Sequence, residues 1–519
     1  MTMMFPAEFR NEPLRDFSTD AARREMQDAI RSVGAELGRE FPLWIDGKPV
    51  RARKTFNSTN PSQSDQVVAV IHQAGTEEVE TAVQAATRAY ESWRWVPAEE
   101  KSALLLRAAH ILRGRRMRAA AWMCYEVGKN WAEADGDVAE AIDFTEYNAR
   151  EILRYAQGRT LPPFEGEMSE YTYIPIGVVA VISPWNFPLA IPTGMTIGAI
   201  AAGNTVVMKP ASDSAAVAFQ TLEALTEAGL PPGVLNLIPG PGGVVGEGLA
   251  THPAVRMIAF TGSREIGTHL FELAAKTPPT QIWLKRIIAE MGGKNAIIVD
   301  DDADLDEALA GVVTSGYGYQ GQKCSAGSRV VATPKVYGRL TEALVERVRR
   351  LEVGPAPENY PAGPVINASA AEKILEYVEV GKREGRLAIG GGRAREGGHY
   401  IAPTVFVDIA PHARIAQEEI FGPVVAAIPA RDFENALRIA NGTAFGLTGS
   451  VYSRNPEKLA KARREFLCGN LYLNRKCTGA MVGTHPFGGF NMSGTDSKAG
   501  GPEYLLNFLQ PKVVAHKYR

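Results

Sequence analysis

The chain has 519 residues, and at about 150 residues per domain that length predicts roughly three domains. Its 56 Lys and Arg against 58 Asp and Glu leave a formal charge of −2, so neither a nucleic-acid partner nor a charged tail is indicated. A composition 45% hydrophobic and 22% charged supports a large core and excludes disorder as the main description. The 51 glycines, roughly 10% against a usual share of about 7%, suggest backbone brought close to a ligand.

Met1 to Glu8 shows no basic stretch leading into an apolar one, and no apolar run reaches the length of a membrane span, so a cytoplasmic protein is expected. Up to about residue 170 the pattern reads as an opening helix, a hairpin and a run of amphipathic helices. Leu43-Trp44-Ile45-Asp46-Gly47 carries the Asp-Gly signal of a tight turn, and residues 81–95, 101–112 and 132–155 have helical apolar spacing. From Tyr173 short β-rich runs alternate with helical stretches, with strands expected at 176–183, 205–208, 234–238, 255–260 and 296–299. A second set follows at 329–332, 404–408, 424–428, 448–452 and 470–474. The alternation argues for two parallel-sheet α/β domains in series. Residues 512–517 read as an extended strand with no core of their own, expected to pair outside their domain in an oligomer.

The four cysteines, Cys124, Cys324, Cys468 and Cys477, fit neither a disulfide framework nor a zinc knuckle. A reducing compartment is the default. The eight histidines show no HxxxH or HxH spacing, so no metal site is expected.

Gly240-Pro241-Gly242-Gly243-Val244-Val245-Gly246 follows an expected strand and opens a helical stretch, but Val245 occupies the third glycine of GxGxxG. The cluster is either a nucleotide turn or a plain glycine-rich one. Phe260-Thr261-Gly262-Ser263 ends a strand before a helix whose first turn suits a phosphate, and Ser263 suits an N-cap equally well. Lys209 ends a strand at the edge where a parallel sheet binds ligands.

Cys324 sits among small polar residues beside Lys323, unlike a buried structural cysteine, and a catalytic thiol needs nearby positive charge or oriented N–H donors. Cys124, Cys468 and Cys477 belong to packing or surface. Glu290 stands at a strand end before Gly292-Gly293, either as a site carboxylate or a solvated loop acid. Asn186, held between Pro184 and Pro188, offers an amide to a developing oxyanion or an ordinary Asx turn.

Taken in order, Pro184-Trp185-Asn186-Phe187-Pro188, Lys209, Phe260-Thr261-Gly262-Ser263, Glu290-Met291-Gly292-Gly293-Lys294, Gly321-Gln322-Lys323-Cys324 and Glu418-Glu419-Ile420-Phe421-Gly422-Pro423 resemble the aldehyde dehydrogenase superfamily over nearly the whole chain. The stretches 469–475, 478–483, 486–490 and 493–495, with 322–325 and the helix 137–144, are similar to its Δ1-pyrroline-5-carboxylate dehydrogenase subfamily. The resemblance implies an α/β aldehyde dehydrogenase fold of two Rossmann-like parallel-sheet domains plus a small β oligomerisation flap. Residues 1–160 and 174–288 would form the NAD-binding domain, 289–500 the catalytic domain, and 161–173 with 501–519 the flap of a homodimer or higher homo-oligomer. The length leaves no room for a fused proline dehydrogenase domain, so a stand-alone enzyme is expected.

The implied reaction is NAD-dependent oxidation of L-glutamate γ-semialdehyde to L-glutamate in proline catabolism; the alternative is another semialdehyde, such as succinic or α-ketoglutaric. Cys324 would be the nucleophile, Asn186 and the Cys324 N–H the oxyanion donors, and Glu290 the base for thioester hydrolysis, which disfavours a CoA-acylating relative. Cofactor contacts are implied for Trp185, Lys209, Ser212, Gly243, Gly246, Gly262, Ser263, Glu419 and Phe421. Because Ser212 stands where the family often has a carboxylate against a 2′-phosphate, NADP is expected to be tolerated. Substrate contacts are implied for Gly479, Ala480 and Ser325 at the α-carboxylate, Lys323 as added charge, Phe187 and Phe487 along the aliphatic chain, and Glu140 toward the α-ammonium. His485 is expected to be structural.

Overall fold

In the computed structural model, which describes residues 8–518, the alternating runs resolve into two seven-stranded sheets. Residues 1–7, most of the stretch read for a targeting signal, and residue 519 lie outside the described residues. In the first sheet the strands Arg286–Glu290, Val255–Thr261, Val178–Ile182, Thr205–Lys209 and Leu235–Leu237 lie side by side and parallel. The hairpin of Leu43–Ile45 and Lys48–Val50, turning through Asp46 and Gly47 at positive φ, adds two antiparallel strands at the Leu235–Leu237 edge. Every residue of Val178–Ile182 and Thr205–Lys209 is buried, because helices cover both faces. The helix Ala190–Ala201, apolar all round and buried along its length, is one of these covers.

The second sheet runs Arg386–Ile389, Thr404–Val407, Val424–Pro429, Arg329–Ala332, Ala296–Val299, Thr448–Tyr452 and Asn470–Leu473, parallel except for the first. Residues 296–299 therefore do not belong with the strands that precede them in sequence. The backbone crosses from one sheet to the other between Glu290 and Ala296, and a β-rich run has no local signal of which sheet it joins.

The structure departs from the sequence reading in three regions. Lys54–Asn60 and Gln63–Gln73 are strands that pair with each other and, through the second, with Arg39–Phe41 in a small sheet; the polar Lys54–Asn60 is largely exposed and carries no clean apolar alternation. Arg116–Glu126 forms a helix of its own within the expected helical run. The terminal strand Leu509–Lys517 finds its partner inside this chain: it pairs antiparallel with Glu167–Pro175, from Leu509 opposite Pro175 to Lys517 opposite Glu167. This two-stranded ribbon leaves Met168, Val513 and Val514 exposed. Among the described residues no helix is long and apolar enough to cross a membrane.

Candidate functional site at the sheet edges

Cys324 follows the helix Leu305–Tyr317 and a tight turn, Gly318–Gly321, in which Tyr319 and Gln320 take left-handed φ values of 48° and 54°. Such strain persists only where surrounding contacts fix it. Here the buried Tyr319 hydroxyl donates to the Val127 carbonyl at 2.7 Å, and the Asn295 amide donates to the Cys324 carbonyl at 2.7 Å and to the Ala326 carbonyl at 2.8 Å. Gly293 packs so close that any Cβ there would strike the Cys324 carbonyl, which explains the second glycine of the pair after Glu290. Among the described residues nothing accepts from the Cys324 N–H. Asn186, buried in the loop before Ala190–Ala201, donates its amide to the Gln322 carbonyl at 3.1 Å, two residues from the thiol.

Glu290 ends the strand Arg286–Glu290, and its carboxyl is not solvated. Ser497 donates to Oε1 from its hydroxyl at 2.6 Å and its amide at 3.2 Å, while Oε2 is buried with no partner. Burial raises the carboxyl to about 7 against the lowering effect of the Ser497 bonds.

The thiol is in the opposite situation from the one its neighbour Lys323 suggests. Burial, then the nearby Glu419 and Glu290 carboxyls, push Cys324 up to about 12, and only the Ser325 amide pulls it down. Lys323 is turned away, its ammonium donating to Glu133 at 2.6 Å. The positive charge expected beside the thiol is therefore absent, because a salt bridge satisfies that lysine first. What remains for an incoming oxyanion is the free Cys324 N–H and the Asn186 amide.

On the first sheet's carboxyl edge, Lys209 is buried rather than solvated, donates to the Pro210 carbonyl at 2.9 Å and is lowered by burial to about 8. Gly246 packs against its stem, whereas Gly242 and Gly243 face open space. Ser263 caps the helix Arg264–Ala275 by accepting from the Ile266 amide, and the Gly262 amide donates to the Glu290 carbonyl at 3.0 Å. Ser212 is exposed at the start of the short turn Ser212–Ser214. The neighbouring Asp213, passed over in the sequence, accepts from the Asn367 amide at 3.1 Å. Glu419 accepts the Gly293 amide at 2.9 Å and is raised to about 7 by burial. Phe421, at φ 61°, meets Trp185 edge-on at 5.5 Å.

The remaining side chains gather along one face of the helix Trp131–Ala156, where Glu133, Asp137 and Glu140 recur at helical spacing. Asp137 is fully buried and accepts from the equally buried Lys129 at 2.7 Å; stranding either partner costs about 3–5 kcal/mol. The Lys129 ammonium also lies 3.9 Å from the centroid of Phe187. Burial and the Asp137 charge raise Glu140 to about 8, so it is not a solvated acid on an amphipathic helix. The helix 137–144 contains both Asp137 and Glu140, but the pairing of Asp137 with Lys129, and of Glu133 with Lys323, has no local signature in the sequence. The spacing of the three acids was the available signal.

Across the crevice, Gly479 holds φ +75° in a loop whose carbonyl accepts from Arg475, and Ala480 follows, half-buried. Phe487 exchanges backbone bonds of 2.9 and 2.7 Å with Ala499. The buried Ser325 turns its carbonyl to the Cys477 thiol at 3.4 Å. Cys124, Cys468 and Cys477 are all buried and free, and His485 accepts from the Met481 amide at 3.3 Å.

The sequence profile described as the aldehyde dehydrogenase family matches residues 44–514. A 1-pyrroline-5-carboxylate dehydrogenase of Geobacillus thermodenitrificans is 51% identical over 511 residues, covering 98% of this chain and 99% of that one. A solved 1-pyrroline-5-carboxylate dehydrogenase from Thermus with bound NAD superposes with a TM-score of 0.98 at 51% identity, all of both chains being covered. Proline utilization A from Bdellovibrio bacteriovorus gives a TM-score of 0.97 at 46% identity over 99% of this chain and 54% of its own. With the two parallel sheets, the cysteine turn and the buried carboxylate in place, these likenesses make the chain a member of the aldehyde dehydrogenase family.

Proposed function

We propose that the protein oxidises L-glutamate γ-semialdehyde, the open form of Δ1-pyrroline-5-carboxylate, to L-glutamate with NAD. The observation that carries this reading is a thiol with a free backbone N–H beside a buried carboxylate whose Oε2 has no partner. The full-length likeness to 1-pyrroline-5-carboxylate dehydrogenases supports the substrate.

Cys324 Sγ attacks the aldehyde carbon. The resulting thiohemiacetal oxyanion is held by the Cys324 N–H and Asn186 Nδ2. NAD, when bound, accepts the hydride. Glu290 Oε2 then takes a proton from the water that hydrolyses the Cys324 thioester, a role for which a carboxyl near 7 is matched. The open space at Gly242 and Gly243 and the exposed apolar Val244 and Ile266 fit a dinucleotide. Trp185, Lys209, Ser212, Gly243, Gly246, Gly262, Ser263, Glu419 and Phe421 would hold it. With Ser212 exposed and Asp213 already bonded to Asn367, NADP is proposed to be tolerated.

The α-carboxylate would meet the Gly479 and Ala480 amides and the Ser325 hydroxyl, with Phe187 and Phe487 flanking the chain and Glu140 near the ammonium. Lys323 would act through Glu133 rather than as a direct ligand. The two sheets support a nucleotide domain of residues 1–160 and 174–288 and a catalytic domain of 289–500. The exposed apolar ribbon supports residues 161–173 and 501–519 as the flap of a homo-oligomer, and the free thiols support a cytoplasmic setting.

NADH formation with pyrroline-5-carboxylate, succinic semialdehyde and propanal tests the reading. The expected kcat/KM is highest for the first, and equal values for the three would overturn it. Ser497→Ala tests the base. The lost hydrogen bond favoured the ionised carboxylate, so the Glu290 pKa should rise further and the acid limb of kcat should move up by about one pH unit. An unmoved limb would remove Glu290 from that step.

A further inference from the structure

Along one face of the helix Trp131–Ala156 and the segments packed near it, the structure brings together three lysines and three acids whose charges act on one another, and their pairing is uneven. Lys129 is neutralised by Asp137 and Lys323 by Glu133. Burial opposes the charge on Glu133, but Lys323, Lys129 and Lys476 together hold it below the ordinary carboxylate range. Once these pairs are removed, one acid and one base are left over. The Glu140 side chain has no hydrogen bond or ion pair among the described residues, and neither has the Lys476 ammonium.

Lys476 precedes the loop that carries Gly479 and Ala480. A Cβ on Gly479 would stand 3.4 Å from Lys476 Cε and 3.7 Å from its Nζ, so the ammonium lies against this turn. The adjacent Arg475 is committed elsewhere, its guanidinium stacked over Tyr472 at 4.3 Å and donating to the Gly479 carbonyl. Lys476 is half-buried, and burial together with the Lys323 charge disfavours its protonated form until an anion arrives. An ammonium and a carboxyl without ion-pair partners are the charges that an α-amino-acid head group, with its carboxylate and ammonium joined to one carbon, would complement.

We infer that Lys476 is a specificity-determining residue whose ammonium pairs with the α-carboxylate of the aldehyde substrate at the Gly479 turn. The inference rests on the amino-acid aldehyde reading above. It explains how a loop whose backbone amides are neutral donors would favour a charged substrate over a plain aldehyde: a charge pair at about 4 Å in a partly buried site outweighs a neutral hydrogen bond.

The test compares Lys476→Met and Lys476→Arg with the parent enzyme on pyrroline-5-carboxylate and on propanal. Lys476→Met should raise KM for the amino-acid substrate about tenfold or more, leave its kcat within about twofold, and leave propanal unchanged. Lys476→Arg should recover most of the loss. In the parent, KM for the amino-acid substrate should rise with ionic strength, and Lys476→Met should flatten that dependence. Equal losses on both aldehydes would make Lys476 a mere support of the loop and overturn the inference, as would an unchanged KM. A parent enzyme that does not prefer pyrroline-5-carboxylate to propanal overturns the function reading itself, whereas a preferring parent with an indifferent Lys476→Met overturns the Lys476 role alone.

Discussion

Cys324→Ala should lower kcat/KM for every aldehyde by on the order of 10,000-fold, because no other group in the crevice can form the covalent adduct. The substitution removes a half-buried sulfur whose environmental partner is the Ser325 amide, while the carbonyl remains fixed by Asn295 and the Cys324 peptide keeps its place. Folding and NAD binding should therefore survive, and NADH fluorescence titration should give an affinity within about twofold of the parent. The raised thiol pKa sharpens the expectation. With burial, Glu419 and Glu290 holding the group near 12, the resting form at neutral pH is the thiol. Its proton must leave as the bond forms, passing to solvent rather than to Glu290, whose part is in the hydrolytic step. Residual aldehyde oxidation above about one per cent of the parent rate would refute Cys324 as nucleophile.

Glu290→Gln should separate the two halves of the reaction. Glutamine keeps the shape and still accepts from Ser497 through its amide oxygen, but it cannot take a proton from water. Deacylation should slow by about 100- to 1,000-fold. Mixing enzyme, NAD and substrate should then release one NADH per active site in a burst and stall, with the acyl group on Cys324 visible by intact-protein mass spectrometry. The parent should show the matching pH signature. Because burial raises the Glu290 pKa above its unfolded value, the carboxyl is protonated and idle below about pH 7, so kcat climbs as pH rises through that value. The variant should lose the limb. A steady turnover without a burst, or a limb that persists in Glu290→Gln, would assign the base elsewhere.

Much of the architecture was readable because strands buried on both faces are short apolar runs whatever their neighbours. The strand Arg329–Ala332 falls where the pattern predicts it, as does Thr448–Tyr452. The polar strand Lys54–Asn60 escaped because an edge of a small sheet buries too few residues to leave a period of two. Ala296–Val299 was recognised as a strand but grouped with its sequence neighbours, since strand propensity contains no information about the sheet joined. Cys324, Glu290 and Asn186 were singled out by residue type and local setting, each with a structural alternative that stayed open until the family resemblance. Ser497 did not, because it lies 207 residues from the carboxyl it bonds and a lone serine in a loop has no chemical signature.

The sequence by itself determined which chemistry this chain can perform: a thiol in a tight polar turn, a carboxylate before paired glycines, an amide between prolines and a lysine at a strand end are local features. Only the tertiary structure decided how those groups are charged. Lys323, adjacent to Cys324 in sequence, is neutralised by Glu133 from the helix Trp131–Ala156, while Glu419 from a loop and Glu290 from a strand end both act on the thiol. Desolvation and charge act through space over a few ångströms, so protonation belongs to the folded arrangement rather than to the order of residues along the chain. The same physics leaves the side chains of Lys476 and Glu140 without an ion pair among the described residues.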